Sequence, residues 1–234
     1  MMKTRIENSG PSTLVLIAAL NEEEGILPTI SEIREFVSEP SILVVDGRSV
    51  DGTAKIAEAL GAQVIFQKGL GKGDAMATAL AHIRLLRPKY MVLIDADFTY
   101  PAEYLPHMIS ILEENPSVGM VCGNRFNHHL SKRAMHNAFY FGNRLLAFTH
   151  NMLNGVTMRD PLTGLRVMRW EILKDWTPKS KDFDIEVELN HHVERRGYGI
   201  REIDIKYRQR LGEKKLKLKH GVTILKRIMS ESIY

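Results

Sequence analysis

Short apolar runs closed by polar or glycine-rich residues recur through the first half of the chain. Thr13 to Ala19, Ile42 to Val45, Gln63 to Phe66, Tyr90 to Ile94 and Val118 to Cys122 read as buried strands. Helical spacing fills the intervals. Glu22 to Val37 places Ile26, Ile30, Ile33 and Val37 on one face, Asp51 to Leu60 opens with Asp-Gly-Thr, and Gly71 to Leu86 has a glycine-rich entrance. Pro101 to Glu114 starts on proline, where the missing amide costs least. Repeated β-α units predict an α/β fold with a mostly parallel, right-handed wound sheet flanked by helices. The second half predicts a long helix near Arg133 to Met152, a helix over Asp184 to Arg196 and a strand at Ile200 to Ile205. No repeat or low-complexity linker divides the chain, so one domain over 1–234 is expected. Its halves would fall at about 13–123 and 124–220, with a basic tail from 206 to 234.

Composition changes this picture little. At 44% hydrophobic and 26% charged, the 234 residues suit a globular protein with a sizeable core. The single Cys122 excludes an internal disulfide framework and fits a reducing compartment. No apolar stretch approaches the ~18 residues of a transmembrane helix, and the polar segment Met1 to Pro11 lacks a signal-peptide core. A soluble chain facing the cytosol is expected. Charge, in contrast, is lopsided. Lys206, Arg208, Arg210, Lys214, Lys215, Lys217, Lys219, Lys226 and Arg227 stand against one acid, Glu213, between 206 and 227. Such a tail suits an anionic partner, namely a phospholipid surface, a phosphorylated substrate or nucleic acid, or else is a solvated face.

Three polar clusters follow the first, second and fourth strands: Asn21-Glu22, Asp46 to Thr53, and Asp95-Ala96-Asp97. In a parallel sheet these strand ends share one edge, where open α/β sheets bind ligands. Amides and carboxylates there suit a base and ribose, and an Asp-x-Asp pair suits Mg²⁺ or Mn²⁺, because hard cations take oxygen ligands. Each cluster taken separately also makes a helix cap or a turn.

The same residues carry a resemblance. Leu16 to Ile26 (LIAALNEEEGI), Val44 to Thr53 (VVDGRSVDGT), Leu93 to Glu103 (LIDADFTYPAE) and Gly123-Asn124-Arg125 resemble the ordered signature of family-two glycosyltransferases, which adopt the Rossmann-like GT-A fold. Asp160 to Met168 (DPLTGLRVM), Phe183 to Leu189 (FDIEVEL) and Gly212 to Leu216 (GEKKL) resemble dolichol-phosphate mannose synthases and related polyprenyl-phosphate hexose synthases. The resemblance implies inverting transfer of a hexose, mannose from GDP-mannose first and glucose from UDP-glucose as the alternative, to a dolichyl or polyprenyl phosphate. A phosphate acceptor is already anionic, so it needs no general base. The alternatives are a family-two transferase with a saccharide hydroxyl acceptor, and a regulatory subunit that binds nucleotide sugar without turnover.

The resemblance also assigns residues. Ala18, Leu20, Asn21, Glu22, Val44, Asp46, Asp51, Asp95 and Ala96 are expected along the nucleotide sugar, and Asp95, Asp97 and Thr99 at Mg²⁺ or Mn²⁺. Arg125, with Arg133 on the following helix, would hold the anions at the reaction centre beside Asp97. Arg208, Arg210 and Lys215 would close over the diphosphate, and Lys72, at a glycine-rich helix entrance, reads either as a further diphosphate contact or as part of a packing turn. The mannose synthases usually carry Gln where this chain has Thr99, Pro-Thr-Tyr where it has Ala18-Ala19-Leu20, and a second Asp where it has Gly47; the last two touch the base-binding edge. A phospholipid-facing enzyme without a transmembrane helix would attach peripherally to the cytoplasmic face, through an anionic membrane surface or a membrane-anchoring subunit, and no nucleic-acid partner is expected.

Other candidates weigh less. His128-His129 and His191-His192 point apart on a helix and do not suggest zinc. Asp184 and Glu186 read as positioning or capping residues. Met135, Phe139, Phe148 and Met152 form an apolar stripe whose default is core packing, with membrane contact as the alternative.

Overall fold

The computed structural model describes residues 11–126, 138–154, 157–215 and 218–232. Its centre is a seven-stranded sheet in the order β3-β2-β1-β4-β6-β5-β7. The strands are β1 (Thr13–Ala19), β2 (Ser41–Asp46), β3 (Gln63–Phe66), β4 (Tyr90–Asp95), β5 (Val118–Asn124), β6 (Arg166–Arg169) and β7 (Gly199–Asp204). The described helices are α1 (Glu23–Phe36), α2 (Thr53–Ala59), α3 (Lys72–Ile83), α4 (Leu105–Glu114, after a 3₁₀ turn at Ala102–Tyr104), α5 (Ala138–Asn154), α6 (Trp170–Leu173), α7 (Ile185–Arg195) and α8 (Leu218–Glu231). Only β6 runs antiparallel to its neighbours, wedged between β4 and β5.

The apolar runs are continuous because the central strands are buried on both faces. Alternate side chains enter opposite layers, as a period of two requires. Val15, Ile17, Val44, Val92 and Ile94 join α1 and α4 in one core. Leu14, Leu16, Leu43, Val45, Met91 and Leu93 join α3 and α7 in the other. Register then sets the functional edge: Ala18 of β1 lies beside Asp95 of β4, and Ala19 beside Asp46 of β2. The three polar clusters therefore meet, as the parallel order predicts.

Two features depart from the expected pattern. The four-residue β6 escapes a hydrophobicity reading because arginine stands at each end, and Arg166 is fully buried. Its guanidinium donates to Asn190 Oδ1 at 2.5 Å and to the carbonyls of Pro161 and Thr163 at 2.7 and 2.9 Å. The basic tail contains α8, which packs Ile224 and Ile228 against Val187 of α7 and Leu146 of α5. Ion pairs from Arg227 to Asp184 (2.9 Å) and from Arg195 to Glu231 (2.8 Å) fasten it further.

Helices α5 and α7 meet at His150 and His191, whose ring centroids are 5.3 Å apart. Burial lowers both imidazoles from 6.5 to about 4. Between those values the unfolded chain binds protons that the folded chain refuses, so this stability is complete above 6.5 and is lost as pH falls toward 4. Thermal unfolding followed from pH 7 to pH 4 should show Tm falling by an amount on the order of 5 °C through this window. The His191→Phe variant should flatten that dependence.

Candidate active site

The carboxyl edge of β1, β2 and β4 opens into a cavity of ≈ 1030 Å³. Ala18, Leu20, Glu22, Lys72, Asp95, Ala96, Asp97, Arg125, Arg208, Arg210 and Lys215 all line it. Asp95 ends β4, and Asp97 follows in a tight turn in which Phe98 adopts φ +62°. Segment 208–211 is stitched to that turn, its Arg208 amide donating to the Thr99 carbonyl at 2.9 Å and its Leu211 amide to the Asp97 carbonyl at 3.0 Å. The tail cations are thereby carried over the two aspartates.

Most charges in the cavity are already paired. Lys72 Nζ donates to Asp95 Oδ1 at 2.6 Å and lies 2.8 Å from Glu186 Oε1. Burial opposes its charge, but the two carboxylates outweigh burial and hold the ammonium well above its ordinary range. Arg210 grips Glu22 at 2.7 and 2.8 Å, and Lys215 bonds the Asn21 carbonyl at 3.0 Å. Even so, burial raises the Glu22 carboxyl. Asp97 is served less well: its nearest cation, Arg210, is 3.7 Å away. Burial, then the charge of Asp95, pushes its carboxyl up.

On the far wall Arg125 lies in a two-pronged pair with Asp160, Nε and Nη2 each donating at 2.7 Å, and Nη2 also reaches the Leu162 carbonyl at 3.1 Å. Asp160 is itself buried, and its amide donates to Glu202 at 2.7 Å. Tyr207 lies under the guanidinium, 5.5 Å from its ring centroid. Arg208 is paired as firmly, with both prongs on Glu32 at 2.6 and 2.7 Å.

Five expected site residues lie outside the cavity lining. Val44 of β2 is a core residue, because alternation turns it into the layer that holds α1. Asp51 is a staple, accepting from the Thr53 amide and hydroxyl and from the Glu23 amide. Asn21 ties the loops after β1 and β2 together, its Oδ1 accepting from the Val50 amide at 2.8 Å. Asp46 is buried with Oδ1 on the Ser49 amide, while Oδ2 has no hydrogen-bond partner. Thr99 is buried, and its hydroxyl donates to Asp97 Oδ1 at 2.6 Å, so it orients that carboxylate. Arg133 lies outside the described residues, as do Met135, His128 and His129. Phe148 and Met152 are each 63% exposed, which overturns core packing for that part of the stripe. Asp184 is held by Arg227 rather than capping α7. Asp160 and Tyr100 stand in motifs of the sequence without an assigned role there, and Tyr207 stands in none; their contacts are with residues distant in the chain.

The donor set suits a small divalent cation. Among the described residues no three of His, Cys, Asp and Glu gather as a complete metal cage. Two carboxylates with substrate phosphates and water completing the shell is the manner in which Mg²⁺ is held. The mutual repulsion of Asp95 and Asp97 is the deficit that such a cation relieves.

The comparisons agree with this fold. Residues 14–177 match the family described as Glycosyl transferase family 2. The chain belongs to that family, and it is a glycosyltransferase of GT-A fold. Among its relatives is a dolichyl-phosphate hexose transferase of Haloferax volcanii, 34% identical over 207 residues, covering 86% of this chain and 85% of that protein. Glycosyltransferase AglJ of the same organism is 35% identical over 184 residues, but these span only 58% of its length and 78% of this chain. A glucosyl-3-phosphoglycerate synthase from Mycobacterium tuberculosis, solved with Mg²⁺ and UDP, superposes with a TM-score of 0.76 at 21% identity, covering 96% of this chain and 80% of that one.

Backbone contact at two glycines sets the aspartate positions. A Cβ on Gly164 would strike the Asp95 carboxylate, and one on Gly25 of α1 would lie 2.7 Å from the Asp97 Cα. Gly164→Ala should therefore lower turnover by roughly 100-fold through misplacement of Asp95, while circular dichroism stays native. Turnover within a factor of about two of wild type would show that Asp95 does not need its observed position.

Proposed function

We propose that this glycosyltransferase moves a hexose from a nucleotide-diphosphate sugar to a dolichyl or polyprenyl phosphate, with inversion. One observation carries the reading: the cavity joins a charged end (Asp95, Asp97, Arg125, Arg210, Lys215) to apolar side chains at Phe126, Leu162, Phe183 and Ile224. A lipid phosphate needs both. A saccharide hydroxyl acceptor would need a base, and the two acids that the sequence offers for that role are engaged, Glu186 by Lys72 and Asp184 by Arg227. The name of the Haloferax volcanii relative supports the same acceptor class.

In this mechanism the loop after β1 borders the base and ribose, and Asp46, buried behind that edge, orders the loop after β2 through the Ser49 amide. Asp95 and Asp97 would hold Mg²⁺ or Mn²⁺, and that cation would supply positive charge for the departing diphosphate. Arg210 and Lys215 turn from Glu22 toward the same phosphates, a short move for side chains already in the cavity. Arg125, fixed by Asp160 through Nε and Nη2, presents Nη1 to the acceptor phosphate, and Arg133 is the second cation for it. Holding two anions in line and balancing their charge supplies the catalysis. GDP-mannose is the donor we assign. UDP-glucose is the second reading, favoured by Gly47 at the base-binding edge. The enzyme works peripherally on the cytoplasmic face of a membrane.

The test is transfer of label from GDP-mannose or UDP-glucose into an organic-extractable product. Product should require polyprenyl phosphate and a divalent cation. Arg125→Lys keeps the charge but loses the fork. It should lower transfer by about 100-fold while nucleoside-diphosphate affinity changes by less than about threefold. Label that reaches only saccharide acceptors would overturn the reading.

A further inference from the structure

The far wall of the cavity is held from outside by two acids of β7. Alternation along this strand sends Ile203 and Ile205 into the core shared with α1 and α4, and puts Glu202 and Asp204 on the opposite face. Pairing with β5 sets Glu202 beside Cys122 and Asp204 beside Asn124, the residue before Arg125. Arg125 lines the cavity, and neither acid does.

Both acids reach the segments that carry the Arg125 fork. Glu202 accepts the amides of Arg159 and Asp160 on its two carboxylate oxygens, each at 2.7 Å. Asp160 in turn commits both of its own oxygens to the Arg125 guanidinium, and also accepts the Arg125 amide at 3.0 Å. Asp204 Oδ1 accepts from Asn124 Nδ2 at 2.8 Å and pairs with Arg159 at 2.7 Å. Asn124 is fully buried, and its Oδ1 accepts from the Phe126 amide at 3.0 Å. Asp204 thus fixes the strand end on either side of Arg125, and Glu202 fixes the loop that supplies its partner.

A carboxylate is an unfavourable group to place at 202. Its side chain is 9% exposed, and Arg159 Nε, at 3.8 Å, lies beyond hydrogen-bond reach. Burial pushes the Glu202 carboxyl up, against the pull of the two amides. Glutamine would fill the same volume but brings one acceptor oxygen to two donors. Charge-assisted bonds to backbone amides are short and directional, so the charge secures the positions of residues 159 and 160. In-line transfer needs such placement, because an error of about 1 Å costs on the order of 100-fold.

We propose that Glu202 and Asp204 are positioning residues for the transfer: through Asp160 and Asn124 they set the orientation in which Arg125 meets the acceptor phosphate, and they touch no substrate themselves. The proposal rests on the acceptor role given to Arg125 above and adds the groups that fix that side chain.

A double-mutant cycle on transfer to polyprenyl phosphate tests it, together with a spectroscopic readout that needs no acceptor. Glu202→Gln should raise the acceptor KM and lower kcat/KM by about 30-fold, with nucleoside-diphosphate affinity within about twofold of wild type. In the Arg125→Lys background the same change should cost less than about threefold, because the fork through which Glu202 acts is gone. Asp204→Ala, at an exposed position outside the core, should show the same split at about fivefold. In ¹⁵N spectra the Arg125 Nε–H resonance, assigned by its loss in Arg125→Lys, should exchange with solvent at least about tenfold faster in Glu202→Gln. An undiminished loss in the Arg125→Lys background, a parallel loss of nucleotide affinity, or an unchanged Nε–H resonance would overturn the proposal. If no polyprenyl phosphate accepts the sugar while the Nε–H resonance responds as expected, the positioning stands and the acceptor reading falls.

Discussion

Four carboxylates crowded at one end of a sheet are the constraint on which the rest of this structure depends. Glu22, Asp95, Asp97 and Glu186 share the cavity with Lys72, Arg210 and Lys215, the described cations within ion-pair distance of them, so in direct pairing four negative charges meet three positive ones. In a partly buried setting such an imbalance is costly, because charges there are poorly screened. The deficit falls on Asp97, the acid with the most distant countercharge. A divalent cation at Asp95 and Asp97 would offset it, which is what a bound diphosphate needs.

The scaffold serves this cluster by register and by close approach. Pairing of Ala18 with Asp95 and of Ala19 with Asp46 delivers three loops to one edge. Gly25 brings α1 against the backbone of the aspartate turn, and Gly164 brings the loop before β6 against Asp95. The antiparallel β6 matters for the same reason. It returns the chain to the centre of the sheet, so that Asp160 can hold Arg125 across from the aspartates.

Much of this was legible in the sequence, wherever the signal is local. β1, β2 and β4 announce themselves as apolar runs, and their polar exits announce the edge. Val44 and Asp51 show the limit of motif reading: both stand inside a functional signature, yet one is core by alternation and the other is a staple between α1 and α2. Arg125 and Asp160 each stand in a motif, but their pairing across 35 positions was not legible. The tail shows a different limit. Its density of lysine and arginine hid the Ile224 and Ile228 period that forms α8, and the acids that take up its charge lie far back in the chain, at Glu22, Glu32 and Asp184.

The central claim is that cation and diphosphate enter one electrostatic site. Calorimetric titration of UDP or GDP into the protein, with and without Mn²⁺, tests it most directly. Coupling through Asp95 and Asp97 predicts that Mn²⁺ tightens the nucleotide by at least about tenfold, reciprocally for the metal, and that Asp97→Asn removes the coupling. Equal nucleotide affinity in Mn²⁺ and in excess chelator would contradict the account.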